Sequence, residues 1–190
     1  MRIISGSAKG KRLSVLTGMD IRPTSDRVRE AVFSILLSRF GTLDGCAVLD
    51  LFSGTGALSL EALSRGASRA TLIDNGDQAS RLIPKNISAC AFQQKTSFLR
   101  GDVLATLPRL SGHGPFELIF LDPPYGRDLV PPVIASVARQ GLLAPEGLIV
   151  AETARKDPLP AIIETMTLLE TRRYGSIAIH LFSHAASEGN

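Results

Sequence analysis

The sequence predicts one α/β domain in which helices cover both faces of a mostly parallel seven-stranded sheet. Short apolar runs alternate with helical patterns after residue 46, which is typical of strand-helix-strand units. These runs are apolar at nearly every position, as expected for strands that are buried on both faces. The last two β-favouring runs have no helix between them and predict an antiparallel C-terminal hairpin. A length of 190 residues, with 44% hydrophobic and 21% charged residues, suits a single soluble unit.

A small basic extension is predicted at the N-terminus, over residues 1–23. Two β-favouring pieces, residues 2–4 and 13–17, flank a stretch that holds two glycines and several basic side chains. This pattern predicts a hairpin-like extension. Residues 24–190 then form the core of the same domain.

A helix is predicted directly after Pro23. Thr24 or Ser25 would supply its N-cap, because a side-chain oxygen there can accept a hydrogen bond from an unpaired amide of the first turn. The apolar residues of this helix recur three and four positions apart, so one face meets the core: Val28, Ala31, Val32, Ile35, Leu36 and Phe40.

The core elements follow in alternating order from residue 47. Pro84 falls inside the second of three helices and predicts a kink or a break there. The final hairpin, formed by residues 168–174 and 177–182, turns at Gly175-Ser176. The remaining predicted strands are residues 47–51, 70–73, 97–100, 117–121 and 148–151, and the predicted helices lie near residues 58–65, 77–89 and 129–139.

Charge is unevenly distributed along the chain. The net charge is +3, yet residues 1–39 alone carry +5. A basic leading segment suits a phosphate-rich partner, because each Lys or Arg that replaces a condensed counterion adds affinity that depends on salt. The alternative is a solvated basic surface without a partner.

Several classes of protein are disfavoured. No apolar stretch approaches the ~20 residues that span a bilayer, and no signal-peptide pattern is visible, so we expect a cytoplasmic protein. Cys46 and Cys90 are far apart in sequence and predict two buried thiols rather than a disulfide or a zinc site. His180 and His184 are four residues apart in a predicted strand, which separates them by about 13 Å, so we expect no metal site.

A glycine turn follows the first strand of the core. Residues 50–56 read Asp-Leu-Phe-Ser-Gly-Thr-Gly and lead into a helix. Gly54 and Gly56 lack side chains and would let an adenosine-type cofactor approach the backbone. The dinucleotide fingerprint requires a third glycine where Ser59 stands, so NAD or FAD fits poorly.

Acidic residues close three successive strands. Asp50, Asp74 and Asp102 therefore lie at the carboxyl edge of the predicted sheet, where open sheets of this kind bind ligands. Asp74 could accept hydrogen bonds from both hydroxyls of a ribose, and Asp102 could accept one from an adenine amino group. Each aspartate alone could be an ordinary loop or helix-cap residue. Together with the glycine turn, the three predict S-adenosylmethionine as the cofactor.

The fourth strand ends in the tetrapeptide Asp122-Pro123-Pro124-Tyr125. The amino group of a nucleobase is a weak nucleophile, because its lone pair is delocalised into the ring. The Asp122 carboxylate and the Pro123 carbonyl would accept hydrogen bonds from its two N–H groups, which would localise the lone pair on the nitrogen. Pro124 restricts Pro123 to an extended conformation, and the Tyr125 ring offers a face on which a base can stack.

These motifs resemble those of Rossmann-like class I S-adenosylmethionine-dependent methyltransferases that modify amino nitrogens. Residues 22–33, Arg-Pro-Thr-Ser-Asp-Arg-Val-Arg-Glu-Ala-Val-Phe, are similar to the signature of the RsmD type of 16S ribosomal RNA guanine-N2 methyltransferase. The resemblance covers nearly the whole chain, and the three motifs occur in the order of the family. Asp74 stands where the family more often has Glu, which shortens its reach to a ribose by one methylene.

The resemblance implies an enzyme that methylates the N2 amino group of one guanine in 16S rRNA, within an assembled small ribosomal subunit. A monomer is expected. Catalysis is assigned by similarity to Asp122, Pro123 and Tyr125. The implied cofactor-binding residues are Asp50, Gly54, Gly56, Asp74, Asp102 and Thr24, and the implied substrate-binding residues are Pro124, Tyr125, Arg27 and Arg29.

Other functions share parts of this pattern. DNA adenine-N6 methyltransferases carry the same tetrapeptide, but those that read a sequence generally need an additional recognition region, for which 190 residues leave little room. Protein glutamine methyltransferases have Asn at the position of Asp122. An RNA-binding assembly factor without activity could keep the cofactor fold, although binding alone would not require Asp122.

Overall fold

A computed structural model describes residues 1–15 and 26–185 of the protein. Its strands are β1 (Ala47–Leu51), β2 (Arg69–Asp74), β3 (Thr96–Arg100), β4 (Phe116–Leu121), β5 (Leu143–Ala154), β6 (Ile162–Ile163), β7 (Met166–Tyr174) and β8 (Ile177–His184). The α-helices are α1 (Asp26–Phe40), α2 (Ala57–Ser64), α3 (Asp77–Cys90), α4 (Val103–Thr106) and α5 (Val130–Arg139). Single 3₁₀ turns cover Gln93–Lys95 and Leu107–Leu110. Within the described ranges, no helix is long and apolar enough to cross a membrane.

The strands form one sheet in the order β3-β2-β1-β4-β5-β8-β7-β6. The five strands from β3 to β5 run parallel, whereas β8, β7 and β6 are added antiparallel. The predicted α/β fold with an antiparallel C-terminal hairpin is therefore confirmed. The structure adds β6 to the seven predicted strands, because two residues are too few to show an alternating pattern in the sequence. The order of the strands reverses at β1, between β2 and β4, which is where open α/β sheets bind ligands.

Both faces of the sheet are covered. Along β4, Leu118 and Phe120 pack into the core on the side of α1, α2 and α3, while Ile119 and Leu121 pack into a second core on the side of α4 and α5. Phe33 of α1 lies against Phe120 with 5.9 Å between the ring centroids. Burial on both sides explains why the strand is apolar at consecutive positions.

The helix predicted near residues 77–89 is observed as α3, from Asp77 to Cys90. Of the kink or break expected at Pro84, the break does not occur. The buried face of α3 includes Ile83 and Ile87, and this packing outweighs the one hydrogen bond that a proline removes. Strand β5 begins at Leu143, ahead of the predicted residue 148, because its first residues pair with β4 on the other side of an irregularity in the register.

The N-terminal segment, residues 1–15, is fastened to α2 and α3. Glu61 of α2 is fully buried, and its carboxylate accepts hydrogen bonds from the amides of Ile4, at 2.7 Å, and Ser5, at 3.0 Å. Asn86 of α3 bonds to both the amide and the carbonyl of Ser14, at 2.7 and 3.0 Å. The same Asn86 donates to the Thr55 carbonyl at 2.9 Å, so the segment is connected to the glycine turn.

The ends of this segment meet in an antiparallel bridge between Arg2 and Arg12. Gly6 has a φ of +81°, and a Cβ added there would lie 1.7 Å from the Ser64 carbonyl oxygen, so only glycine fits this close approach. Cys46 and Cys90, as predicted, are free and buried.

Candidate active site

The glycine turn, residues 50–56, joins β1 to α2 with left-handed backbone at two glycines. Gly54 has a φ of +55° and Gly56 a φ of +76°, and Gly56 immediately precedes the first turn of α2. A Cβ at Gly56 would lie 3.0 Å from a methyl carbon of Leu72. Gly56 is thus packed closely against the core, whereas Gly54 is partly exposed at the carboxyl edge of the sheet, and a side chain at either position would strain the left-handed backbone.

Asp74, at the end of β2, joins two loops through backbone amides. Its carboxylate accepts a hydrogen bond from the Gly54 amide at 2.8 Å and from the Gly76 amide at 2.7 Å. A carboxylate has about four acceptor sites, so these two bonds leave capacity for further donors. Asp74 thus holds the glycine turn in a fixed shape against the loop after β2.

Asp50 lies beneath the glycine turn and is 2% exposed. It accepts hydrogen bonds from the Ser59 hydroxyl at 2.7 Å and from the Ser59 amide at 3.3 Å. Burial raises the pKa of Asp50 to about 7, and the nearby charge of Asp74 adds to that rise, although the bonds from Ser59 oppose it. Asp50 is therefore an acid that titrates near neutral pH.

Asp102 follows β3 and caps α4. Its Oδ1 accepts a hydrogen bond from the Ala105 amide at 3.0 Å, and its carbonyl accepts one from the Thr106 hydroxyl at 2.6 Å. The side chain is exposed at the same carboxyl edge. The helix-cap interpretation thus applies to this residue, and it leaves the carboxylate accessible to a ligand.

The Asp122 loop, residues 122–127, follows β4. The Asp122 amide donates to the Leu51 carbonyl at 3.4 Å, which places the loop beside the start of the glycine turn. Asp122 is half-buried and Pro123 is buried, whereas Pro124 is exposed. Burial raises the pKa of Asp122 well above its usual range, and the charges of Glu152 and Asp50 raise it further.

Tyr125 is paired with an acid from the neighbouring strand. Tyr125 is 51% exposed as a residue, and its hydroxyl donates a hydrogen bond to Glu152 of β5, which is 8% exposed. Sequence reasoning did not identify Glu152 as a site residue. The signal that could have found it is an acidic residue that directly follows the apolar run 148–151, because acids are rarely buried without a partner.

A cavity of about 340 Å³, the β4–β5 cavity, opens between the Asp122 loop and the segment after β5. Its size falls at the lower end of the range for small-molecule sites. Polar and apolar groups both contribute to its wall, among them Pro123, Tyr125, Leu129, Glu152, Lys156 and Leu159.

The two arginines predicted to bind substrate, Arg27 and Arg29, differ in their exposure to solvent. Arg27 is exposed on the first turn of α1. Arg29 is 1% exposed, and its guanidinium donates to the Arg2 carbonyl and, at 3.0 Å, to Asp26. Burial lowers the pKa of Arg29. Thr24 lies outside the described residues, so its predicted role is not addressed by the structure.

Comparisons with known proteins decide the family. The model of the family described as "Conserved hypothetical protein 95" matches residues 1–183. The chain belongs to this family. It is 33% identical to the Ribosomal RNA small subunit methyltransferase D of Escherichia coli K12 over 98% of this chain and 91% of that protein. The protein of the same name from Haemophilus influenzae is 31% identical over 97% of this chain and 94% of that protein.

Solved structures agree with this assignment. The Escherichia coli protein yhhF is 33% identical and superposes with a TM-score of 0.84 over 98% of this chain and 99% of that one. A hypothetical protein of Thermus thermophilus is 30% identical, with a TM-score of 0.82 over 97% of this chain and 99% of that one. The predicted membership of the RsmD-type family, with its Rossmann-like fold and methyltransferase class, is therefore confirmed.

Proposed function

We propose that the protein transfers the methyl group of S-adenosylmethionine to the exocyclic N2 amino group of one guanine in 16S rRNA of the small ribosomal subunit. One observation carries this proposal. The Asp122 loop starts beside the glycine turn, through the hydrogen bond from the Asp122 amide to Leu51, and it borders the β4–β5 cavity. An amino-activating tetrapeptide, a cofactor cradle and a space for a base thus adjoin one another.

The residues of the glycine turn fit this cofactor. A Cβ added at Gly54 would meet nothing closer than the Phe52 carbonyl oxygen at 4.0 Å, so the backbone of the turn is open to a ligand at this position. Asp74 would accept from the ribose hydroxyls and Asp102 from the adenine amino group, while Asp50 supports the turn through Ser59. When bound, the cofactor supplies a methyl group on a positively charged sulfur.

The Asp122 loop prepares the acceptor nitrogen. The Asp122 carboxylate and the Pro123 carbonyl each accept a hydrogen bond from an N–H of the guanine N2 amino group, which withdraws its lone pair from the ring and directs it at the methyl group. As the bond from nitrogen to the methyl carbon forms, the bond from that carbon to sulfur breaks, and one amino proton leaves along the hydrogen bond to Asp122. Pro124 and Tyr125 contact the base, and the half-exposed Tyr125 ring gives it a stacking surface. The burial that raises the pKa of Asp122 also makes its carboxylate a stronger hydrogen-bond acceptor.

The rest of the chain serves the same reaction. We propose one methyltransferase domain, monomeric and cytoplasmic, that acts on an assembled small subunit. The exposed Lys9 and Lys11 of the N-terminal segment and Arg27 of α1 would contact RNA phosphates. Arg29 would act indirectly, since it fixes the N-terminal segment to α1 through the Arg2 carbonyl.

Product analysis tests the proposed function. The full-length protein is incubated with radiolabelled S-adenosylmethionine and one of three substrates: small subunits from cells that lack the enzyme, naked 16S rRNA, or duplex DNA. The methylated nucleoside is then identified by mass spectrometry. We expect N2-methylguanosine from small subunits. N6-methyladenine in DNA would instead support the adenine methyltransferase, and cofactor binding without transfer to any substrate would support an assembly factor.

A further inference from the structure

The β4–β5 cavity contains an acid that the mechanism above does not use. Glu152 lies near the C-terminal end of β5 and is 8% exposed. It accepts the hydrogen bond from Tyr125 and lines the cavity together with that ring and Pro123. A carboxylate has about four acceptor positions and can receive several donors at once.

Glu152 and Asp122 are neighbours. Both border one small void of about 10 Å³, whose other lining residues are apolar: Val32, Leu58, Leu121, Val150 and Ile179. Asp122 starts the loop after β4, and Glu152 belongs to the adjacent parallel strand β5. Asp122 and Glu152 therefore lie side by side, and Glu152 also lines the β4–β5 cavity beside Pro123, where the proposed function places the base.

Such a pair of acceptors distinguishes guanine from adenine. Guanine presents adjacent N–H donors on its Watson–Crick edge, at N1 and at the exocyclic N2. Adenine has an acceptor at N1, which would face a carboxylate without a hydrogen between them and would leave a buried acceptor unpaired. A site that is built to receive a donor rejects an analogue without that donor more strongly than a purely apolar pocket can.

We propose that Glu152 accepts a hydrogen bond from N1–H of the target guanine, while Asp122 and the Pro123 carbonyl hold the N2 amino group. This inference rests on the proposed function. It makes Glu152 the residue that selects guanine, and it gives Tyr125 a second role, since its hydroxyl orients the carboxylate at the wall of the cavity.

An atomic change in the substrate tests this role directly. Small subunits are reconstituted with 16S rRNA that carries either guanosine or 2-aminopurine riboside at the methylated position, which the product analysis locates. 2-Aminopurine keeps the reacting amino group but has an acceptor in place of N1–H. The wild type should lose about 5- to 150-fold in kcat/KM on this replacement, the discrimination of a well-formed hydrogen-bonded pair.

Glu152→Ala should methylate the two substrates with nearly equal kcat/KM. The intrinsic reactivity of the two bases is common to every variant and cancels in the comparison. If Glu152→Ala does not fold by circular dichroism, Glu152→Gln replaces it and should show a reduced preference, because a neutral amide oxygen accepts more weakly than a carboxylate. Glu146→Gln, an exposed glutamate at the other end of β5, is the matched control and should keep the full preference for guanosine.

Tyr125→Phe distinguishes selection of guanine by Glu152 from the contribution of the Tyr125 hydroxyl. It removes the hydrogen bond to Glu152 but keeps the ring and the carboxylate, so it should be slower than the wild type and still prefer guanosine. Loss of the preference in Tyr125→Phe, or a full preference in the folded Glu152 variant, would overturn the inference. If the wild type forms no N2-methylguanosine at all, the proposed function fails instead.

Discussion

The two sides of the carboxyl edge differ in what holds their acids in place. On the cofactor side, Asp50 accepts hydrogen bonds from Ser59 in the helix that follows its own strand, and Asp74 accepts them from the Gly54 and Gly76 amides in the two neighbouring turns. On the transfer side, Tyr125 depends on Glu152, which is 27 residues away and belongs to another strand. The cofactor side is therefore a preformed cradle. The transfer side is completed by a long-range pair and keeps an open cavity in which a base can be selected.

The largest expected effect concerns the buried acid of the cofactor side. The pKa of Asp50 is about 7 in the folded protein and close to 3.8 when unfolded, so between pH 4 and pH 7 the folded state holds a proton that the unfolded state has released. The free energy of unfolding should fall as pH rises through this window, by up to about 4 kcal/mol from this residue. Asp50→Asn cannot titrate and should lose this part of the slope.

Urea unfolding of both proteins at several pH values between 4 and 8 measures the difference. Asp122 also has a raised pKa and contributes to the slope in the same direction; since the charge of Asp50 is one cause of that rise, Asp50→Asn also lowers the Asp122 contribution, and both changes flatten the slope of the variant. Identical slopes in the wild type and in Asp50→Asn would show that Asp50 ionises normally in the fold.

Replacement of Asp122 should slow methyl transfer without weakening cofactor binding. We expect Asp122→Ala to lower kcat about 100- to 1000-fold, because one of two acceptors for the amino hydrogens is lost. The dissociation constant of S-adenosylmethionine, measured by calorimetry, should change little, since Asp122 belongs to the other side of the edge. A large loss of cofactor affinity would mean that the two sides are not independent.

The converse variant on the cofactor side is Asp74→Ala. It removes the acceptor of the Gly54 and Gly76 amides, and it should weaken cofactor binding by roughly 2 kcal/mol, or about 30-fold. The value of kcat at saturating cofactor should fall much less. Asp74→Glu is the matched control, because it keeps the charge and lengthens the side chain; its affinity should stay within about threefold of the wild type. Equal losses in both variants would argue against these two hydrogen bonds.

The smallest effect is expected for two exposed lysines of the N-terminal segment, Lys9 and Lys11. Lys9→Ala combined with Lys11→Ala should lower the salt dependence of substrate capture, with a slope in the logarithmic plot that is smaller by about 1.4, if each lysine meets one phosphate of single-stranded RNA. Lys85→Ala combined with Lys95→Ala removes the same charge from the region of α3 and should leave the slope unchanged. Equal slopes in all three proteins would assign the RNA contact to other residues.

Local patterns predicted most of the fold and the positions of the glycine turn and of the acids that end the strands. The consecutive apolar residues of β4 indicated a strand covered on both faces, and the two glycines after β1 indicated a tight turn before a helix. Helix α3 was predicted at nearly its observed bounds, and the break that Pro84 suggested is absent because the helical propensity of one residue is outweighed when Ile83 and Ile87 are buried. Strand β6, with two residues, was too short for any pattern to show.

The sequence by itself determined which residues end each strand, and so which acids gather at one edge: parallel strands bring their carboxyl ends together whatever their order. Only the tertiary structure decided which side chains meet across that edge. Glu152 reaches Tyr125 because β5 lies beside β4, and Arg29 is buried because the N-terminal segment lies over α1. Periodicity specifies the buried face of one element, whereas a contact between elements also needs the partner that the rest of the chain packs against that face.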